Sequence, residues 1–333
     1  CSVTKRRKKE RSLCQPVLDH FDQQYREELG DLWPYARTVL LDPQSWQYGV
    51  MLNRFTAVTG IAQILQAQGF STLLPQTDPD NKPVLSFPPL SLQCYIHPCL
   101  LRFPSQAHRP GQLKQYYLLN AASLLPVLAL QVKDGEKVLD LCSAPGGKAI
   151  AIMQSASPAL LCCNEPDLHR RDWLAKTLES FLPHSLNSRV IVSAQDGRCF
   201  GQSEAGLYDK VLVDAPCSND RSWLYSCSSQ QGEQRLKERA WLPSLQAQLL
   251  RSALLAVSPG GTVVYSTCTL SSFENFAVVE TVLKDFPETT QEPSLQTQDA
   301  SVSSYHHRLG ILVVPQPGKT WGPMFLARIR RWK

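Results

Sequence analysis

Val138-Leu139-Asp140-Leu141-Cys142-Ser143-Ala144-Pro145-Gly146-Gly147-Lys148 reads as a buried strand running into a glycine turn and then a helix. Glycines at such a turn let bare backbone approach a ligand. The unpaired N–H groups and the dipole of the helix N-terminus then favour a carboxylate or other anion. Gly-Gly alone is more often a plain tight turn. The pattern Gly-x-Gly-x-x-Gly is absent, so a dinucleotide pyrophosphate is not favoured. What singles the stretch out is recurrence: later strand ends carry an acid or a thiol at the tip, and ligands in open α/β sheets sit outside the carboxyl ends of the strands.

After the turn, a helix to about 156 is followed by a strand at 159–163, a helix from Leu168 to Phe181 and a strand at 189–194. A strand from Asp209 to Asp214, a helix at 241–257, a strand from Gly261 to Thr267 and a helix at 273–285 continue the alternation. This spacing predicts an α/β fold with a doubly wound, mostly parallel sheet. Residues 310–315 and 324–330, with no helix between them, predict a C-terminal hairpin, and the polar residues 286–307 a surface loop.

Upstream, Val17, Leu18, Phe21, Tyr25 and Leu29 share one helical face; Pro43 starts a helix through Trp46, Val50 and Leu52, and another covers roughly 59–68. A smaller helix-rich domain is therefore expected first. Five prolines between 75 and 89 mark a linker, and a helix from Gly111 through Tyr117, Asn120 and Leu124 to Leu130 leads into the Asp134-Gly135 turn. The division expected is an RNA-binding region at 1–110 and a catalytic domain at 111–333.

A chain of 333 residues, 43% hydrophobic, can bury one large core and a smaller one. No apolar run nears the roughly 20 residues of a membrane span, so a soluble protein with no membrane association is expected. The 11 cysteines include no Cys-x-x-Cys, which signals neither a disulfide framework nor a zinc site and suggests a reducing compartment. Cys1 stands where a Met would open a natural chain. The net charge of +5 belongs to residues 1–12, with six basic groups and one acid; the remainder balances at 28 against 28. Lys5 to Lys9 suit a targeting remnant, a nuclear address or, most commonly, a solvated tail. Nucleic-acid affinity then requires local patches. Between Asn81 and Lys133, Lys82, Arg102, Arg109, Lys114 and Lys133 occur without any acid, among Phe87, Tyr95, Phe103, Tyr116 and Tyr117. That mixture suits single-stranded nucleic acid, although aromatics in a core would give the same pattern.

Glu165, Asp196 and Asp214 follow successive strands, and a carboxylate past the second strand suits a ribose diol. Three such acids beside Pro-Gly-Gly, without a phosphate signature, suggest a nucleoside such as S-adenosylmethionine. Cys217 follows the same strand as Asp214, and Cys268 follows the next one. A lone cysteine there is usually a small buried hydrophobe, but a pair beside a cofactor loop points to a thiolate nucleophile, with Lys148 or Arg221 available to lower its pKa. Carbon 5 of a pyrimidine becomes nucleophilic once a thiolate adds at carbon 6, Asp214 is placed to hydrogen-bond the base, and a second cysteine can serve release.

These residues resemble the Sun-domain RNA cytosine-5 methyltransferases. The resemblance lies in Leu141-Cys142-Ser143-Ala144-Pro145-Gly146-Gly147-Lys148, Asp214-Ala215-Pro216-Cys217-Ser218, Tyr265-Ser266-Thr267-Cys268-Thr269, Glu274-Asn275 and Gly322-Pro323-Met324, covering about residues 111–333. It implies Cys268 as nucleophile, Cys217 in product release, and S-adenosylmethionine held by Cys142, Ser143, Ala144, Pro145, Gly146, Gly147, Lys148, Glu165, Asp196 and Asp214, the last also touching the base. Ser218-Asn219-Asp220-Arg221 departs from the more frequent Gly-x-Gly continuation and looks like the mitochondrial branch; Glu165 replaces a more frequent Asp. With Val17-Leu18-Asp19-His20-Phe21 and Tyr116 to Ser123 included, the resemblance implies a tRNA substrate, the wobble cytosine of methionine tRNA, in the mitochondrial matrix with no obligate protein partner. A second reading is a ribosomal RNA methyltransferase or assembly factor working with a protein partner; the intact cysteines, glycine turn and acids favour an active enzyme. A small-molecule methyltransferase would leave the basic N-terminal half without a use.

Overall fold

The computed structural model describes residues 13–73, 92–225, 229–292 and 303–333. The expected linker at 75–89, the basic tail, Lys82 and Phe87 lie outside the described residues. In chain order the strands are β1 (Tyr48–Leu52), β2 (Ser71–Thr72), β3 (Cys94–Ile96), β4 (Tyr116–Asn120), β5 (Lys137–Asp140), β6 (Leu160–Asn164), β7 (Val190–Ser193), β8 (Tyr208–Asp214), β9 (Val257–Thr267), β10 (Thr289–Glu292), β11 (Ser304–His307), β12 (Gly310–Val313) and β13 (Met324–Arg331).

The large sheet runs β11-β12-β13-β9-β8-β5-β6-β7. Strands β5 to β9 pair in parallel, whereas β13 enters antiparallel between β9 and β12, with β10 against its far end. Successive residues of each central strand point to opposite faces, and both faces are apolar. Leu139, Val211 and Val263 face the layer containing the helices Leu242–Ala256 and Phe276–Leu283. Val138, Leu212 and Val264 face the layer of the helices Leu125–Leu130, Gly147–Ser155 and Leu168–Phe181. The sheet is thus doubly wound, and the predicted terminal hairpin is present as β12 and β13.

Three expectations change. Residues 48–52 form β1 and not a helix, because the residues alternate: Val50 and Leu52 enter a small core with Phe70 and Phe103, while Met51 turns to the layer of the helices Leu125–Leu130 and Gly147–Ser155. The same alternation makes 116–120 strand β4, and the helix there shortens to Leu125–Leu130. Together β2-β3-β1-β4 form a small antiparallel sheet within the helix-rich N-terminal part. The third change concerns 286–307, expected as loop: its described ends are β10 and β11, tied to β13 and β12.

The helix Gln15–Leu29 buries Val17, Leu18, Phe21 and Tyr25 in the main core. Among the described residues no helix is long and apolar enough to cross a membrane.

Candidate active site

The glycine turn is built for close backbone approach. Gly146 sits at φ +106°, a conformation L side chains rarely adopt, and a Cβ there would lie 3.0 Å from Leu174. A Cβ on Gly147 would meet the Tyr117 ring at 3.0 Å. The turn is fastened by the Ser143 N–H to the Asn164 carbonyl (2.9 Å) and by the Gly146 N–H to the Ser143 carbonyl (2.8 Å), after which the helix starts at Gly147.

Beside the turn lies a cavity of about 190 Å³. Of the residues expected from the sequence, Cys142, Ser143, Ala144, Pro145, Gly147, Lys148 and Asp214 line it. Gly146 is buried behind it against Leu174, and Glu165 and Asp196 lie outside its lining. Glu165 is buried past β6; it accepts the Asp167 N–H (3.1 Å) and pairs with Arg170 at 3.2 Å, which also donates to the Ala144 carbonyl (3.1 Å). Asp196 is exposed and paired with Arg198 at 2.5 Å, whose hydrogen bond holds its carboxyl below the usual range.

Besides Leu118 and Leu119, four lining residues with polar side chains were not expected at this site: Asp140, Tyr117, Asn120 and Ser123. Asp140 closes β5 and accepts the Ser143 hydroxyl at 2.9 Å on Oδ2, while its buried Oδ1 has no hydrogen-bond partner. Burial pushes its pKa up to about 7. Its position at the tip of the opening strand was the available signal. The other three come from β4 and the turn after it, whose pairing with β1 only the fold reveals.

At the mouth, Lys148 Nζ donates to Asp214 Oδ2 at 2.6 Å, and the Ser266 hydroxyl donates to Oδ1 at 2.9 Å. Burial lowers the Lys148 pKa, but Asp214 outweighs it and the ammonium is retained. The two cysteines do converge: Cys217 Sγ and Cys268 Sγ are 3.3 Å apart. The hydrogen bond to Cys268 and burial hold the Cys217 pKa well above its usual value, either sulfur can be the donor of the pair, and the Cys268 N–H donates to the Cys217 sulfur at 3.3 Å. Arg221 does not serve them. Its guanidinium donates to the carbonyls of Gly322 (2.6 Å) and Thr320 (2.7 Å) and stacks over Trp46.

Behind the thiols, Glu274 accepts the Ser218 N–H (3.0 Å) and Gln246 Nε2 (3.0 Å) and pairs with Arg239 at 3.4 Å. Arg239 is buried, so it is no surface grip for RNA, whereas Lys237 is exposed and Arg235 stacks on Trp223. Arg102 and Arg109 are exposed, the former over the Tyr48 ring, and Lys114 lies half-buried over Phe181. Among the described residues no group of three or more His, Cys, Asp or Glu is placed to hold a metal.

Residues 127–330 match the family model described as 16S rRNA methyltransferase RsmB/F. The mitochondrial tRNA (cytosine(34)-C(5))-methyltransferase of Danio rerio is 56% identical over 330 residues, 97% of this chain and 89% of that protein. Its Mus musculus counterpart of the same name is 46% identical over 326 residues, 96% and 92% respectively. The fold matches a solved methyltransferase homologue from Pyrococcus horikoshii at TM-score 0.64 and 22% identity, covering 96% of this chain and 98% of that one. A glycine turn at the tip of β5, two thiols in contact at the tips of β8 and β9, and a family match over most of that sheet lead to one assignment: the chain belongs to the RsmB/F, Sun-domain family of RNA cytosine-5 methyltransferases.

Proposed function

We propose that this protein transfers a methyl group from S-adenosylmethionine to carbon 5 of cytosine 34, the wobble position, of mitochondrial methionine tRNA, in the matrix and without an obligate protein partner. The observation that carries the chemistry is the thiol pair at 3.3 Å beside the Lys148–Asp214 pair. Names borne by relatives at 56% and 46% identity support the tRNA target over an assembly factor for ribosomal RNA.

The residues suit the cofactor. Residues 142–148 offer N–H groups and bare backbone to its amino-acid end, and Asp140 Oδ1, buried and unpartnered, is an acceptor awaiting a donor. Glu165 would take the ribose hydroxyls, with Asp196 and Asp214 as further acceptors around the nucleoside. When bound, S-adenosylmethionine supplies an electrophilic methyl on a cationic sulfur.

Cys268 contributes the thiolate that adds to carbon 6 of the cytosine. The Cys217 sulfur stands 3.3 Å away, within hydrogen-bonding reach of it, and the Lys148 ammonium lies nearby. Asp214, oriented by Ser266 and Lys148, accepts from the exocyclic amine of the base and holds it in plane for attack. Once the Cys268 sulfur is bonded to carbon, Cys217 no longer faces an anion. Its thiol can then give its proton to solvent, and once carbon 5 carries the methyl group the Cys217 thiolate takes the proton from carbon 5 as the bond between carbon 6 and the Cys268 sulfur breaks and Cys268 leaves as thiolate. A cytosine in an anticodon loop is largely unpaired, so bringing it to these thiols costs less than extracting it from a duplex. Holding the flanking stem falls mainly to residues 1–110 and chemistry to 111–333, with β4 of the second part completing the small sheet of the first.

The test is incubation with methyl-labelled S-adenosylmethionine and separated tRNA and ribosomal RNA. Label should appear as 5-methylcytosine at position 34 of methionine tRNA. Cys268→Ala should abolish it with cofactor binding intact, and Cys217→Ala should accumulate a protein–RNA species stable to denaturant. Trapping by Cys268→Ala instead would reverse the two roles, and label only in ribosomal RNA would overturn the target.

A further inference from the structure

Asp220 is wholly buried three residues after Cys217, yet its carboxylate reaches the loop of the other cysteine. Oδ1 accepts the hydroxyl of Thr269 (2.8 Å) and Oδ2 the N–H of Leu270 (2.8 Å), the two residues directly after Cys268. One side chain therefore ties the two cysteine loops together. A third donor comes from far away in sequence: the Tyr25 hydroxyl, on the helix Gln15–Leu29, donates to Oδ1 at 3.0 Å. Tyr25 in turn accepts Arg239 Nη2 at 2.8 Å, and Arg239 pairs with Glu274, which holds the Ser218 N–H beside Cys217. The same N-terminal helix grips the Cys268 loop twice more, through Gln24 Nε2 to Ser271 Oγ (3.2 Å) and the Ser272 N–H to Glu28 Oε2 (2.8 Å).

A buried carboxylate is costly unless donors surround it, and a buried polar network whose donors and acceptors are matched favours one arrangement of its parts. Here Arg239 donates to Tyr25, both the Tyr25 and the Thr269 hydroxyl donate to Asp220, and those two hydroxyl oxygens lie 3.2 Å apart. Nothing in this network lines the cavity.

We propose that Asp220, with Tyr25, is the positioning pair that sets the Cys217–Cys268 contact, so that the N-terminal helix, outside the residues matched by the family model, is part of the catalytic apparatus. This rests on the roles proposed above for the two cysteines. Asp220→Asn and Tyr25→Phe in the full chain test it with two readouts. The first needs no RNA: the rate at which the thiol oxidant diamide joins Cys217 to Cys268, followed by peptide mass spectrometry, with alkylation of exposed Cys199 as the internal standard. The second is kcat and KM for tRNA together with S-adenosylmethionine affinity and melting temperature. Asp220→Asn should slow thiol joining at least fivefold and lower kcat at least tenfold, with KM and cofactor affinity within threefold. Tyr25→Phe should move both in the same direction by about threefold. Unchanged joining and kcat in folded variants would overturn the proposal, and so would a fall of cofactor affinity and melting temperature in proportion to kcat. Should Asp220→Asn fail to fold, Tyr25→Phe decides by the same criteria. A wild type that methylates no RNA would sink the functional reading, while the oxidant readout would still judge the positioning.

Discussion

Gly147 is held between two demands, an open backbone toward the cavity and a Tyr117 ring 3.0 Å from where a Cβ would stand. A valine there displaces that ring into the cavity. Calorimetry on Gly147→Val should show S-adenosylmethionine affinity lowered at least tenfold in a folded protein. Asp196→Asn should lower it by a few fold, since Asp196 is already occupied by Arg198 and lies outside the lining. Asp140 makes a pH-dependent prediction. Burial raises its pKa to about 7, so between its unfolded value of about 4 and about 7 the folded chain binds the extra proton, and stability falls as pH rises through that window. Every tenfold difference in proton affinity between the folded and unfolded chain is worth about 1.4 kcal/mol. The ligand-free wild type should therefore lose melting temperature from pH 5 to 8, and Asp140→Asn should lose less; parallel curves would rule this out. Six of the seven turn residues line the cavity and the two thiols converge, and the sequence marked both places because strand tips are chemically conspicuous. Asp140 stood in that same stretch without a role, because its environment is made by the burial of β5 between β6 and β8.

At the scale of elements, the periodicity of long helices and buried strands was readable wherever one pattern dominated. It failed at 48–52 and 116–120, where aromatic and aliphatic residues serve two cores on opposite sides of a thin sheet, and a short apolar run fits either period. The failure bears on RNA binding. With β4 a strand, Lys114 lies just before it over Phe181, while Arg102 stacks on Tyr48 at the start of β1, so these cations are anchored to the small sheet. Neutralising Arg102, Arg109 and Lys114 together should weaken tRNA binding and flatten its salt dependence by up to about three phosphate contacts, with cofactor affinity unchanged. A salt titration of wild type and triple variant checks this. Identical slopes would move the grip to Arg235 and Lys237.

Across the whole molecule, the N-terminal helix shares the main core with β8 and β9, so the chain is less divisible than its composition suggests. The place of β13 adds a constraint of timing. The strand that ends in Thr267, next to Cys268, is complete on one edge only until residues 324–331 slot in beside it. A nascent chain halted at Pro323 on the ribosome would thus carry a bare strand edge at its catalytic centre, an invitation to pair with a neighbouring chain. Such stalled chains should sediment with aggregates unless a chaperone covers that edge, and supplying the missing strand as a separate peptide should restore their solubility.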